Sequence, residues 1–436
     1  MDIGTSSVRG ALYEREAVAL GETAFRLARS LNVTEDGGAE IDADEAVDQV
    51  ASVIDGVLER SKQVPGNIDL VAMCAFWHSL VGVDEAGAAT TKVLGWADTR
   101  SGVCINHLRK RFDDSEVHDR TGAHLHSSYW PAKLLWLSRE FPDVFARTSH
   151  WLSFSDYLAR KLFGQAVTSV SMASGTGIFD IRKCTWDTEL LDYLNIRSEN
   201  LPRIADSSSE TWTLRPEFAA RWPKLRDTDW LLAIGDGAAD NIGSGCTTAD
   251  KAALMVGTSG ALRVAYQGEP PATIPKGLWC YRIDRERVVI GGALSDGGGL
   301  YEWIKKTFDL PDDAEERIAK RRIGEHGLIF LPYLAGERSP GYNEHARGGI
   351  LNLTSATQTI DILQAALESV AYKFRKLFDL LSTAVTIEEI VASGGALRRS
   401  HVWKRIIAEV LERDITISGV EEASSRGAVL LALERN

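Results

Sequence analysis

The stretch "DIGTSSVRGALYE" (2–14) decides the fold, because a second copy of its pattern occurs as "VGTSGALRVAYQ" (256–267). In both copies a Gly-Thr-Ser turn is followed by a segment with strand character. An apolar run, "AALMV" (252–256), also leads into the second turn. Each copy therefore predicts a β-hairpin, and a repeat of such long period predicts two similarly folded halves.

The composition of the turns favours binding of an anion. Small residues let the backbone approach a ligand, and turn N–H groups with Thr and Ser hydroxyls can surround a phosphate. In a P-loop or a dinucleotide-binding turn the glycines lead into a helix, whereas here they lead into strands, which argues against both motifs. Two unrelated hairpin turns are the alternative, and the match between the copies favours a pair of phosphate-binding hairpins.

The overall composition limits the function classes. A chain of 436 residues predicts two domains. A net charge of −12 argues against nucleic-acid and anionic-membrane partners. The five cysteines include no Cys-x-x-Cys pair, so we expect neither a disulfide framework nor a zinc site. The chain has no apolar run of about 18 residues and no apparent signal segment, so we expect a cytoplasmic protein. A polar stretch at 216–230 predicts a boundary between domains 1–228 and 229–436.

Three further sites are candidates for chemistry. In "WLLAIGDGAADNIGSG" (230–245), Asp236 follows an apolar strand and is a candidate general base, although an Asp before a helix can also be a simple N-cap. Asp2 lies beside the first turn and is a candidate Mg²⁺ ligand, with a turn-stabilising role as the alternative. Gly394 and Gly395 join a strand to a helix, which suits a nucleotide but also any tight connection.

In order and spacing, these pieces resemble the FGGY family of carbohydrate kinases over nearly the whole chain. The stretches that carry the resemblance are "DIGTSSVRGALYE" (2–14), "WHSLVGVDEAG" (77–87), "WADTRS" (96–101), "IGDGAADNIGSGC" (234–246), "MVGTSGALRV" (255–264), "FLPYLAGERSPGYNEHARGGILNL" (330–353) and "ASGGALRRSHVWKRIIAEV" (392–410). The resemblance implies an α/β, two-domain, actin-like (ribonuclease H-like) ATPase fold with a duplicated core and a central cleft. It also implies ATP and Mg²⁺ as cofactors and a small sugar as substrate.

The resemblance assigns roles to individual residues. It implies that Asp236 is the catalytic base and Asp2 the Mg²⁺-linked aspartate. The residues implied in nucleotide binding are Gly4, Thr5 and Ser6, Gly257, Thr258 and Ser259, and Gly394, Gly395 and Ala396. Those implied in the sugar pocket are Trp77, His78, Trp96, Asp98 and Arg100.

The motifs look closest to the gluconokinases of the family, so we expect gluconate as the acceptor. Arg100 or Lys133 could pair with its carboxylate, although Lys133 could equally pack beside Trp136. A pentulose kinase for xylulose or ribulose is the first alternative. Only Met1 precedes Asp2, which predicts a shortened first strand and leaves a catalytically weak nucleotide-binding relative as a second alternative.

Other signals are weaker. An actin- or chaperone-like ATPase with the same fold is a third reading, which the pocket residues disfavour. His124 and His126 fit loop residues better than metal ligands, and Glu337 with Arg338 fits an internal ion pair. A homodimer is an assembly state that the sequence leaves open.

Overall fold

Two mixed β-sheets form the framework of the protein in a computed structural model, which describes residues 1–205, 210–334, 336–343 and 345–434. The first sheet has the strand order Ile234–Gly235, Cys74–Ala75, Asp2–Ile3, Ser7–Tyr13, Ala19–Ala28. The second has the order Ile415–Ile417, Glu389–Ser393, Lys251–Val256, Gly260–Gln267, Arg287–Leu294, Trp279–Arg282.

The two sheets share one topology, as the repeat predicts. In each, a Gly-Thr-Ser hairpin forms the first two strands, the next strand along that side is antiparallel, and two parallel strands lie on the other side. The strand before the first turn, Asp2–Ile3, has two residues, whereas its counterpart Lys251–Val256 has six. The duplicated core is therefore present in both halves.

Helices cover the sheets and bury an apolar face against them. Ala43–Arg60 begins at Asp42, whose carboxylate accepts from the N–H groups of residues 44 and 45, and buries Val50 and Val53 against the first sheet. Thr359–Leu381 has the same role in the second core. The other α-helices are Ile105–Arg111, Asp114–Thr121, Trp130–Glu140, Pro142–Arg147, Phe154–Phe163, Val170–Ser174, Thr188–Leu194, Pro216–Arg221, Asp236–Gly243, Gly298–Thr307, Ala314–Ala319, Gly395–Arg399, His401–Leu411 and Ala423–Leu433.

Short strands and turns complete the fold outside the two main sheets. These strands are Asn32–Val33, Ala39–Ile41, Leu70–Val71, Val81–Val83, Val93–Leu94, His150–Leu152, Val167–Ser169, Phe179–Asp180, Thr185–Trp186, Arg203–Ala205, Asp229–Trp230, Ile329–Leu331 and Gly349–Leu351. Single 3₁₀ turns cover Arg100–Cys104, Ser198–Asn200 and Pro223–Leu225. In the described part of the chain, no helix combines the length and the apolar character needed to cross a bilayer.

The last helix returns to the first half of the molecule. Ala423–Leu433 crosses Asp236–Gly243 so closely that a Cβ on Gly243 or Gly427 would overlap a backbone carbonyl of the other helix. Ala428 and Leu431 belong to the first hydrophobic core. The helix that begins at Asp236 is therefore fixed between the two halves.

The first sheet takes its fifth strand from beyond the predicted boundary between residues 228 and 229. Ile234–Gly235 pairs in parallel with Cys74–Ala75. The polar stretch that suggested the boundary forms the surface helix Pro216–Arg221 and then the strand Asp229–Trp230, which pairs with Leu70–Val71 of the first half. The first sheet therefore continues past the polar stretch, and the division at residues 228 and 229 stays a prediction.

Candidate active site

Asp236 lies at the carboxyl end of the parallel strands of the first sheet. The register pairs Ile3 and Gly235 with the same residue, Ala75, so Asp236 is level with Gly4 and two strand spacings, about 10 Å, away. Its side chain is half-buried, and Oδ1 accepts a 2.7 Å hydrogen bond from the N–H of Gly237. The carboxylate is thus at an open strand end rather than inside a core.

Trp77 fills the space around this strand end. Its indole Nε1 donates to the carbonyl of Ser171 at 2.9 Å. A Cβ on Gly175 or Gly235 would overlap the indole, and a Cβ on Gly237 would lie 2.8 Å from its Cζ3. The glycines on both sides of Asp236 are therefore required by the close approach of Trp77, a role that the sequence pattern alone does not reveal.

The surroundings of Asp236 favour a carboxyl group that can exchange a proton near neutral pH. Burial, followed by the negative charge of Asp2, raises the pKa of Asp236 to about 7, against the opposing effect of Arg263. Arg263 is buried and pairs with Asp240 at 2.5 Å and with the Asn241 side chain at 3.0 Å. It was missed from the sequence, where a single charge within the apolar strand Gly260–Gln267 was the available signal.

The first hairpin exposes its donors toward solvent. The Gly4 N–H donates to the carbonyl of Ser7 at 3.0 Å, which closes the turn. Arg29 holds the turn from behind: its guanidinium donates to the carbonyl of Gly4, and its backbone N–H donates to that of Ser6 at 3.0 Å. Among the described residues, the hydroxyls of Thr5 and Ser6 have no hydrogen-bond partner, so they are available to a ligand.

Asp2 is paired with a residue that the sequence analysis missed. Arg9 lies directly opposite it in the hairpin, and its Nε is 2.9 Å from Asp2 Oδ2. Arg9 also reaches Glu422 at 2.6 Å, which connects the hairpin to the last helix. The register of a closed Gly-Thr-Ser hairpin would have indicated this pairing.

The donor set at this edge fits a magnesium ion. Asp2 lies on a strand that is two positions across the sheet from the strand ending at Asp236. Its charge raises the pKa of Asp236, so a cation would reduce the repulsion between the two carboxylates. The described residues contain no cluster of three metal-ligating side chains. Mg²⁺ commonly uses one or two carboxylates with water and phosphate oxygens, so a complete protein cage is not needed.

The second hairpin is held by a glycine run. The N–H groups of Gly297 and Gly299 donate to the carbonyl of Thr258 at 3.1 and 2.9 Å, and that of Gly298 donates to Gly257 at 2.7 Å. A Cβ on Gly298 would lie 2.6 Å from the Gly257 carbonyl, so only glycine allows this approach. As in the first hairpin, the hydroxyls of Thr258 and Ser259 have no hydrogen-bond partner within the described ranges.

The turn at Gly394–Ala396 lies next to the second hairpin. Gly394 has a φ of 96°, and a Cβ there would overlap the carbonyl of Val256. Gly395 begins the short helix Gly395–Arg399, and Ala396 is buried in the second core. The residues predicted for nucleotide binding in the second half, 257–259 and 394–396, are therefore adjacent.

His78 lies in an aromatic pocket between the two halves. It has a φ of 69°, and its Nδ1 is 2.6 Å from the carbonyl of Gly175, so the ring proton is on Nδ1. Burial and the charge of Arg338 hold the pKa of His78 well below its usual range. Tyr129 and Tyr281 contact the ring, and their hydroxyls are 2.7 Å apart.

Lys133 supports His78 from below. Its side chain is fully buried, and Nζ donates to the His78 carbonyl at 2.7 Å. Burial lowers the pKa of Lys133 to about 7. The Lys133 ammonium thus donates to a backbone carbonyl and is not exposed to a substrate.

The charged residues predicted for this pocket have partners within the protein. Arg100 pairs with Asp98 at 2.5 Å and with Glu40 at 2.6 Å. Asp98 itself is buried and accepts from the Ala39 N–H at 3.2 Å, so it has a structural partner rather than an open face. Glu337 pairs with Lys373, not with Arg338.

Arg338 instead contacts the ring of Trp96. Its guanidinium carbon lies 4.9 Å from the ring centroid, which links the second half of the chain to the pocket wall of the first half. Trp96 is half-buried, and its carbonyl accepts from the hydroxyl of Ser128 at 2.9 Å. Trp77 and His78 thus contact each other, Trp96 contacts Arg338, and Asp98 pairs with Arg100.

The loop histidines have buried structural partners. His124 Nδ1 lies 2.9 Å from Asp114, and its Nε2 accepts from the Gly277 N–H at 3.2 Å. His118 stacks on it at 3.8 Å and donates to the Leu278 carbonyl at 2.7 Å. The pair therefore joins the two halves of the molecule.

Two family models together match nearly the whole chain. The model for the N-terminal domain of the FGGY family of carbohydrate kinases matches residues 1–243, and that for the C-terminal domain matches 252–434. A gluconokinase of Bacillus subtilis is 28% identical over 99% of this chain and 86% of its own length.

Two solved structures from Lactobacillus acidophilus are similar over 100% of this chain and 88% of their own. A gluconate kinase has a TM-score of 0.91 and 29% identity. A ligand-bound xylulose kinase has a TM-score of 0.90 and 29% identity.

Proposed function

Because the chain belongs to the FGGY family of carbohydrate kinases, which transfer phosphate from ATP to an alcohol group, we propose that it phosphorylates gluconate to 6-phosphogluconate with Asp236 as general base. The half-buried Asp236 carries this proposal. It lies at a strand end level with the first hairpin, and its helix is held by Arg263 of the second sheet.

The reaction we propose is direct phosphoryl transfer. The oxygen of the acceptor hydroxyl forms a bond to the γ-phosphorus of ATP while the bond between that phosphorus and the ADP oxygen breaks. Asp236 accepts the proton that the hydroxyl loses. A pKa near 7 suits this step, because a base is most effective when its pKa is close to the working pH. The hairpin donors of Thr5, Ser6, Thr258 and Ser259 would orient the phosphates, so that positioning supplies much of the rate.

Asp2 is the residue we propose to be linked to Mg²⁺ through its carboxylate oxygens, whereas Asp236 acts as the base. When bound, the ion would neutralise charge on the transferred phosphoryl group. Gly394, Gly395 and Ala396 are proposed to bind the adenosine, because this turn lies beside the second hairpin and its glycine leaves the backbone accessible. Trp77, His78 and Trp96 are proposed to contact the sugar.

A pentulose kinase is the second candidate. It is supported by the similarity of the chain to a xylulose kinase at the same identity, 29%, as to a gluconate kinase. The buried aromatic residues around His78 favour neither a ketose nor a sugar acid. Gluconate carries a negative charge, whereas xylulose and ribulose are neutral, so the two candidates differ chiefly in the charge of the acceptor.

An acceptor panel tests the proposal. ADP release would be measured with ATP and Mg²⁺ in the presence of gluconate, xylulose, ribulose, glycerol or no acceptor. We expect release with gluconate well above every other arm. Release with xylulose or ribulose alone would favour the second candidate, and nucleotide binding with no acceptor-dependent release would favour the catalytically weak relative.

A further inference from the structure

Arg263 is a buried arginine on a central strand of the second sheet. It stands between two apolar residues of the strand Gly260–Gln267, and only 5% of its surface is exposed. This strand is hydrogen-bonded along both edges, to Lys251–Val256 on one side and to Arg287–Leu294 on the other. A side chain on a strand held in this way has a fixed origin, so it can position the groups that it contacts.

A glycine on the neighbouring strand provides the space for this side chain. Arg263 is paired with Gly291, and a Cβ at Gly291 would lie 2.8 Å from Arg263 Cγ and would overlap the Leu262 carbonyl. Because residue 291 has no side chain, the aliphatic part of Arg263 can lie close to the sheet. Its guanidinium reaches the helix Asp236–Gly243.

Three hydrogen bonds join Arg263 to this helix. Its Nη2 donates to the Asp240 carboxylate at 2.5 Å, and its Nε donates to the side-chain oxygen of Asn241 at 3.0 Å. The side-chain nitrogen of Asn241, which is buried, donates to the Arg263 carbonyl at 3.3 Å. A guanidinium presents its donors in a rigid planar fork, so these contacts fix both the position and the rotation of the helix.

The guanidinium also lies against the start of the helix, where the proposed base is found. A Cβ on Gly237 would lie 2.7 Å from Arg263 Nη1. Gly237 directly follows Asp236, and its N–H donates to the Asp236 carboxylate at 2.7 Å. Arg263 is therefore packed against the residue that holds the carboxylate of the base.

The other end of the strand begins at the second hairpin. Gly260 directly follows the turn residues 257–259, and Arg263 is four residues beyond Ser259, a distance of about 13 Å along the strand. Because both edges of the strand are paired, a displacement of the hairpin would also displace Arg263. One strand thus connects the hydroxyls of Thr258 and Ser259 to the helix that begins at Asp236.

We propose that Arg263 is a positioning residue that couples the second hairpin to Asp236. When ATP binds to residues 257–259, the strand holds Arg263 in place, and Arg263 holds the helix so that Asp236 reaches the acceptor hydroxyl. This coupling rests on the proposed kinase function and adds a physical connection between nucleotide binding and the base. A displacement of a reacting group by about 1 Å can lower a rate about 100-fold, so the connection should affect turnover.

The kinetic test compares the full-length wild type with Arg263→Met, Arg263→Lys and the double variant Arg263→Met with Asp240→Asn. The double variant removes the carboxylate that Arg263→Met alone would leave buried without its cation. We expect kcat to fall about 100-fold in both Met variants, while the KM values for ATP and gluconate stay within about threefold of the wild type. Arg263→Lys keeps the charge but not the planar fork, so it should recover part of the lost kcat. The matched control is Arg321→Met with Asp361→Asn, which removes another Arg–Asp pair, 2.6 Å apart, and should leave kcat unchanged.

A second readout does not require turnover. Amide hydrogen exchange is measured in residues 236–243 and 257–259, with and without ATP. In the wild type and in the control, we expect ATP to slow exchange in both segments. In the double variant, we expect ATP to slow exchange in 257–259 but not in 236–243.

Three results would overturn the proposed coupling. A double variant with the wild-type kcat would show that Arg263 only neutralises Asp240. Slowed exchange in 236–243 of the double variant, equal to that of the wild type, would show that the helix responds to ATP without Arg263. A fall in kcat that matches the unfolded fraction, measured by circular dichroism, would show a purely structural role.

Failure of the proposed function gives a different result. A wild type that binds ATP but does not use gluconate would refute the proposed substrate, and the exchange measurement would still decide the coupling. A wild type that does not bind ATP would refute the proposed kinase function and the coupling with it.

Discussion

Substitution of Gly237 by Ala tests whether Asp236 is fixed by the close packing around its strand end. The new Cβ would lie 2.7 Å from Arg263 Nη1 and 2.8 Å from Trp77 Cζ3. Ordinary contacts need about 3.5 Å or more, so one neighbour must retreat by roughly 0.7 to 1 Å. Neither moves easily, because Arg263 is held by Asp240 and Trp77 by Ser171.

The expected cost follows from two opposing effects. Overpacking of this size costs about 1–3 kcal/mol. Ala gains up to about 1 kcal/mol over Gly inside a helix, and Gly237 is the second residue of Asp236–Gly243. We therefore expect a net loss of about 1–2 kcal/mol in the free energy of unfolding. Displacement of the neighbouring Asp236 by up to about 1 Å should also lower kcat about 10- to 100-fold.

Urea unfolding and steady-state ADP release measure the two effects. The matched control is Gly21→Ala, because a Cβ there meets no atom within 4 Å. The smaller ring in Trp77→Phe should relieve the clash, so combining it with Gly237→Ala should cost less than the sum of the two single substitutions. The reasoning would be refuted if Gly237→Ala unfolded at the same urea concentration as the control and retained full kcat, or if the double variant were additive.

Three further perturbations have directions set by single contacts. Burial lowers the pKa of Lys133 from 10.5 to about 7, so between these pH values the unfolded chain binds more protons than the folded protein. The free energy of unfolding should therefore rise with pH across that window. Lys133→Met should make the accompanying rise in the urea midpoint smaller. Burial and the adjacent imidazole of His124 lower the pKa of His118 to about 4, so the free energy of unfolding should fall as the pH drops from about 6.5 to 4. The fall should be smaller in His118→Phe, whereas the exposed control His107→Gln should follow the wild type. Arg29→Met removes the guanidinium that donates to the Gly4 carbonyl, and it should raise the KM for ATP by about tenfold, with Arg29→Lys intermediate. An unchanged KM for ATP would contradict a role of Arg29 in positioning the first hairpin.

The repeat and the strand ends were predictable because their signals are local. Gly-Thr-Ser at 4–6 and 257–259 leaves few backbone conformations other than a turn, and the flanking apolar segments predict the strands on each side. The order of the motifs then identified the family, which the family models confirm over 1–243 and 252–434. The position of Asp236 at a strand end also followed from its sequence.

The partners of the charged residues could not be predicted, because folding selects them from distant parts of the chain. Glu40, which helps to hold Arg100, is 60 residues away from it. Lys373, on a long helix, pairs with Glu337 across 36 residues of sequence. Proximity in sequence therefore indicated the wrong ion pair.

Membership of the first sheet could not be predicted from polarity for a related reason. Polarity at 216–230 marks exposure, whereas membership of a sheet depends on a pairing made with residues 74–75, far earlier in the chain. The structure therefore assigns Ile234–Gly235 to the first sheet, although these residues follow the polar stretch.

The most direct measurement of the central claim compares wild type and Asp236→Asn for gluconate-dependent ADP formation, with ATP binding measured on both proteins. The account predicts that the wild type forms ADP and 6-phosphogluconate in equal amounts. It predicts that Asp236→Asn loses about 10²- to 10⁴-fold in kcat while its affinity for ATP stays within a few fold. Retention of the wild-type kcat by Asp236→Asn would contradict the assignment of Asp236 as the base.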